Sequence, residues 1–129
     1  MGYTLHGMCG QDEHWDIYNP SPEDIDKAID ELIPVKFFFV ILENDEPIQN
    51  CAYIQTLITD DSTLDLRYLL EVRFVYESHF LHYQTVTTNA DDLKKTFRMF
   101  ALGVIPNVEG WTDITANLQK KDGAEGANA

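Results

Sequence analysis

Two periodicities alternate along the chain. From Asn19 to Pro34, NPSPEDIDKAIDELIP sets apolar side chains at Ile25, Ala28, Ile29, Leu32 and Ile33, the spacing of one dry stripe on a helix. Ser21 stands at the N-cap, Pro22 at the first helical position, where no amide partner is needed, and Asp24 where a capping-box acid belongs. Pro34 stops the run. The period then changes. VKFFFVIL (35–42) is apolar almost throughout and predicts a strand buried on both faces, and Glu43 to Pro47 predicts an acidic turn into a second strand, IQNCAYIQTLI (48–58). LDLRYLLEVRFVY (64–76) alternates strictly: Leu64, Leu66, Tyr68, Leu70, Val72, Phe74 and Tyr76 point one way, and Asp65, Arg67, Leu69, Glu71, Arg73 and Val75 the other. A tight turn at Glu77 and Ser78 leads into HFLHYQTVTT (79–88). Helical spacing returns in NADDLKKTFRMFALG, with Asn89 as cap, Leu93, Phe97, Phe100 and Ala101 inward, and Gly103 as the stop.

These elements predict an α+β protein of order α-β-β-β-β-α: a four-stranded antiparallel sheet, a meander, with two helices packed on one face. Residues 1–120 form a single domain, in which the N-terminal MGYTLHGMCGQDEHWD reads as an acidic loop and Trp111 pins an irregular late segment. Residues 121–129 have no period and fray. The chain's 129 residues, 44% of them hydrophobic, suffice for one core. No run reaches the roughly 18 apolar residues of a membrane span, and the N-terminus lacks a secretory pattern, so a cytoplasmic location and no membrane partner are expected.

Charge sharpens the picture. Residues 1–66 carry 14 acids and only Lys27 and Lys36, a net of -12, whereas residues 67–129 are nearly balanced at -1. A one-signed field speeds encounter with oppositely charged partners. The expected partner is therefore a basic protein, and nucleic acid, which needs clustered Lys and Arg, is excluded as a direct ligand. The carboxylates assigned to that surface are Asp26, Asp30 and Glu31 of the first helix, and Glu43, Asp45, Glu46, Asp60 and Asp61 of the two acidic turns. Tyr53 and Arg73 are its candidate anchors, because Arg and Tyr are over-represented among interface hot spots.

No catalytic residue, metal ligand or cofactor is assigned. His79 and His82 are spaced H-x-x-H, but on a strand that offset sends them to opposite faces, one into a core or edge position and one to solvent. Cys9, Asp12, Glu13, His14 and Asp16 lack a second pair at zinc spacing, and the acidic turns lack the calcium loop's central glycine. With Arg67, Glu71 and Arg73 outward, Tyr53 and Gln55 of the neighbouring strand stand beside them.

The acidic helix PSPEDIDKAIDEL, the strand FFFVILE, the tripeptide Tyr53 to Gln55, the strand LEVRF (70–74), the helix DDLKKTFRMFALG and Trp111 together resemble small bacterial α+β immunity proteins of polymorphic toxin systems. The resemblance spans about residues 15–115, with DEPIQN where paired glycines would precede the second strand. It implies a cytoplasmic, non-catalytic protein that binds and blocks a toxin, here a basic, nucleic-acid-targeting one. Two other classes remain open: a small-molecule-binding or enzymatic domain with a pocket between sheet and helices lined by His82, Gln84 or Tyr68, and a subunit that self-associates through a sheet edge.

Overall fold

In the computed structural model, residues 2–9, 13–32, 39–60 and 67–118 are described. The first helix, α1 (Pro22–Asp30), forms as its caps dictate. The Ser21 hydroxyl accepts from the Asp24 amide at 3.1 Å, and the Asp24 carboxylate accepts from the Ser21 amide at 2.9 Å, closing the capping box. The second helix, α2 (Ala90–Ala101), starts at Asn89, whose side chain accepts from the amides of Asp91 and Asp92. It ends before Gly103, which takes the positive φ that only glycine adopts without strain. A third, single-turn helix at 115–118 corrects the expected count of two.

The sheet corrects the expected four-stranded meander: it is antiparallel and seven-stranded, built from β1 (Tyr3–Cys9), β2 (Glu13–Tyr18), β3 (Phe39–Ile48), β4 (Cys51–Asp60), β5 (Arg67–Val75), β6 (Phe80–Thr87) and β7 (Thr112–Asp113), in the order β2-β1-β3-β4-β5-β6-β7. The N-terminal stretch is no loop but a hairpin whose inner strand pairs with β3, Leu5 opposite Leu42. Its pattern supports this, since Leu5 and Ile17 turn inward while His6 and Asp16 turn out. Gly7 serves close approach, because a Cβ there would fall inside the indole of Trp15, its cross-strand partner. The acidic turn is also displaced: Glu43, Asp45 and Glu46 belong to β3, and the chain reverses at Gln49 and Asn50, both at positive φ as a two-residue hairpin demands. Between β5 and β6 the loop is wider than expected, from Tyr76 to His79, but it is centred on Glu77 and Ser78 and its rings stack. Ile33 and Pro34 of the predicted first helix, residues 35–38 and 64–66 of the first and third predicted strands, and the tail 121–129 lie outside the described residues.

Both helices pack on one face of the sheet. Ile25, Ala28 and Ile29 of α1 and Leu93, Phe97 and Phe100 of α2 meet Leu5, Val40, Leu42, Ile54, Leu70 and Val72 in one continuous core. The helices are also tied by charge: Arg98 donates to both Asp26 oxygens at 2.7 and 2.8 Å, and Lys94 lies 2.6 Å from Asp30. Among the described residues no helix is long and apolar enough to cross a membrane.

Candidate functional site

The face of the sheet turned away from the helices is built by strand alternation, and the register lays its residues out in three rows. Phe39, Leu57, Leu69 and Val86 stand side by side as an apolar row. One step along each strand come Asp16, His6, Ile41, Gln55, Glu71 and Gln84. The third row is Tyr18, Thr4, Glu43, Tyr53, Arg73 and His82. We refer to this surface as the outer face.

At its centre a chain of hydrogen bonds runs through two buried groups, Glu71 and His82, flanked by the half-buried Gln55 and Arg73. Gln55 Nε2 donates to Glu71 Oε2 at 3.0 Å, Glu71 Oε1 lies 2.7 Å from His82 Nε2, and Arg73 Nε donates to His82 Nδ1 at 3.0 Å. The last bond settles the imidazole. Nδ1 accepts, so it carries no proton, and Nε2–H is left to donate to the carboxylate. His82 is 1% exposed and Glu71 7%. Main-chain bonds hold the histidine as well, its amide donating to Thr115 Oγ1 at 2.7 Å and its carbonyl accepting from Ile114 at 2.9 Å. Burial pushes the Glu71 carboxyl up, but hydrogen bonds from His82 and Gln55, followed by electrostatic attraction to the His82 ring and to Arg73, outweigh burial and hold it below its ordinary value.

Arg73 is fixed in a second way. Its guanidinium carbon lies 4.1 Å from the Phe80 ring centroid and 5.8 Å from that of Tyr53. Burial raises the Tyr53 phenol, Arg73 opposes this, and Glu71 and Glu43 add to it. Beside this cluster His6 bridges β1 to its neighbours, Nδ1 at 2.6 Å from Asp16 and Nε2 at 3.5 Å from Glu43.

The sequence-assigned residues do not gather on one surface. Tyr53, Arg73 and Glu43 are neighbours on the outer face. Asp26 and Asp30 lie on the helix side, paired with cations of α2, and Glu31 is exposed at the end of α1. Asp45 and Glu46 are exposed further along β3, the Asp45 amide donating to the Gly2 carbonyl. Asp60 stands opposite Arg67 in the backbone register, and Asp61 lies outside the described residues. Charge asymmetry nevertheless survives folding, because strand order keeps β1 to β4 on one flank and β5 to β7 on the other.

Of the residues assigned to an inner pocket, His82 and Gln84 face away from the helices while Tyr68 is buried beneath them. A groove of about 200 Å³ between β2 and α1 is lined by Trp15, Ile17, Asp24, Lys27, Ala28 and Glu31 instead. His79 is exposed but lies in the loop before β6, and only His82 is on the strand, buried on its outer face, so the strand offset expected of the H-x-x-H pair does not apply. Thr115 carried no sequence signal: it meets His82 only through the late chain segment. Among the described residues no group of three or more His, Cys, Asp or Glu is arranged to hold a metal. No family model, curated protein or solved structure matches the chain.

Proposed function

We propose that this chain is a non-catalytic protein-binding module of the immunity type, working in the cytoplasm, that neutralises a basic protein through the outer face of its sheet. The observation that carries this reading is the pairing of Arg73 with Tyr53 in the middle of that face, between an apolar row and the acidic flank bearing Asp16 and Glu43. Arg and Tyr are the residue types that supply most binding energy in protein interfaces, and they do so from desolvated central positions. The chain's charge of -13 adds long-range attraction for a cationic partner. Because two helix carboxylates are already satisfied by α2, the acids expected to steer are those of the β1 to β4 flank.

The test is coexpression with the product of the neighbouring reading frame, followed by size-exclusion chromatography and calorimetry. A complex is expected that weakens with salt and loses about tenfold or more in affinity on Tyr53→Ala. Absence of a complex at low salt, or one indifferent to Tyr53→Ala, refutes the reading.

A further inference from the structure

The geometry points to Arg73 as a preformed seat for a carboxylate side chain on the protein partner, with Glu71 and His82 as the positioning residues that hold it. This rests on the outer face being a protein-binding surface, and it adds the chemistry of the group recognised there. Arg73 spends only Nε on the protein, in its bond to His82 Nδ1. Its two Nη groups make no hydrogen bond or ion pair among the described residues.

A guanidinium normally wanders, and ordering it on binding costs side-chain entropy. Here that cost is met in advance. Phe80 and Tyr53 lie against the group, and His82 pins its Nε edge. His82 is itself held in one tautomer by Glu71, whose second oxygen is occupied by Gln55. What remains is the far edge of the fork, Nη1 and Nη2, with parallel N–H bonds spaced for the two oxygens of one carboxylate. Charge selects the carboxylate over a phosphate: Glu43 and Glu71 are close by, the chain is strongly anionic, and a dianion is repelled twice as strongly as a monoanion. A basic protein still carries Asp and Glu side chains, so long-range attraction and the central anchor act on different groups of the same partner.

Random peptides displayed on phage and selected on the full-length protein, then counter-selected on Arg73→Lys, test this directly. Lysine keeps the charge and loses the fork, and circular dichroism checks that the variant folds. Peptides retained by the wild type alone are expected to share an Asp or Glu, and its replacement by Asn or Gln in the synthetic peptide to cost about tenfold in affinity or more. This second substitution leaves the protein untouched. Peptides that require Tyr53 but tolerate Arg73→Lys overturn the carboxylate seat and leave the face a protein-binding one. Selection of Arg73-dependent peptides without an acid, or of none, also overturns it, as does displacement by inorganic phosphate where acetate has no effect. For the positioning residues the readout is the nitrogen spectrum of the His82 ring: an unprotonated Nδ1 and a protonated Nε2 are expected, and the reverse removes them from the role.

Discussion

Replacing Glu71 by alanine isolates the hydrogen-bond chain beneath Arg73. The magnitude follows from which groups are left behind. The Glu71–His82 contact is not an ion pair in this tautomer, so the roughly 3 to 5 kcal/mol lost when a buried charge is stranded does not apply. What is stranded is one N–H of a 1% exposed imidazole, and a buried unsatisfied donor costs about 1–3 kcal/mol. Gln55 is only half-buried and turns to water at little cost. About 2–3 kcal/mol is therefore expected at neutral pH, with Glu71→Gln near 1 because the amide oxygen still accepts from His82. Urea unfolding followed by Trp15 and Trp111 fluorescence measures this as a lower midpoint at unchanged slope. The pH dependence has a definite sign. The Glu71 carboxyl is held below its ordinary 4.5 in the folded chain, so its stabilising contribution is complete above that value and is lost as pH falls through the folded value. The gap between wild type and Glu71→Ala should shrink on acidification below 4.5. A gap under about 1 kcal/mol at pH 7, or one that widens in acid, refutes the reasoning.

Gly7→Ala forces the Trp15 indole off its cross-strand glycine and should cost about 1–3 kcal/mol, with a red-shifted Trp15 emission as the check. Burial lifts the Cys51 thiol to about 12, so a pulse of iodoacetamide at pH 8, read by peptide mass spectrometry, should leave Cys51 unlabelled until urea unfolds the chain. The Arg98–Asp26 pair is 36% exposed on both sides, so a double-mutant cycle with Arg98→Ala and Asp26→Asn should return no more than about 1 kcal/mol, fading with salt. A larger, salt-independent coupling would mean that this pair aligns the helices.

Much of the fold was legible where local chemistry decides it. The caps of α1 and α2 need only neighbouring residues, and both form as their sequences predict. The strict alternation of β5 places Glu71 and Arg73 away from the core, and Gln55 and Tyr53 do stand opposite them. Short strands with conflicting residues were not legible. In YTLHGMC a glycine interrupts the alternation, and its reason, the indole of Trp15, lies on another strand. The stretch of β3 from Glu43 to Pro47 reads as a turn because Asn44, Asp45 and Pro47 are turn formers and Glu is depleted in strands, whereas of the pair that does reverse the chain only Asn50 is a turn former and Gln49 is not.

The site's central pair is a different case, for it was implicit in the expected topology. A hairpin centred on Glu77 and Ser78 pairs Arg73 with His82 and Glu71 with Gln84, and the wider loop seen in the structure keeps that register. Once Arg73 is turned outward, opposite residues share its face, so His82 is outward too, and a pocket beneath the helices is the wrong place to look for it. What register alone does not supply is burial. A histidine on the outer face would ordinarily meet water, and His82 does not, because Thr115 and Ile114 return along the edge of β6 to bind its main chain while Glu71 and Arg73 close on its ring. That return depends on the segment after α2, whose placement rests on Gly103 ending the helix and on Ile105, Val108 and Trp111 packing against the core. Loosening that segment should therefore free His82 and Arg73 together, and the anchor's order is a property of the chain's late residues as much as of the strand that carries it.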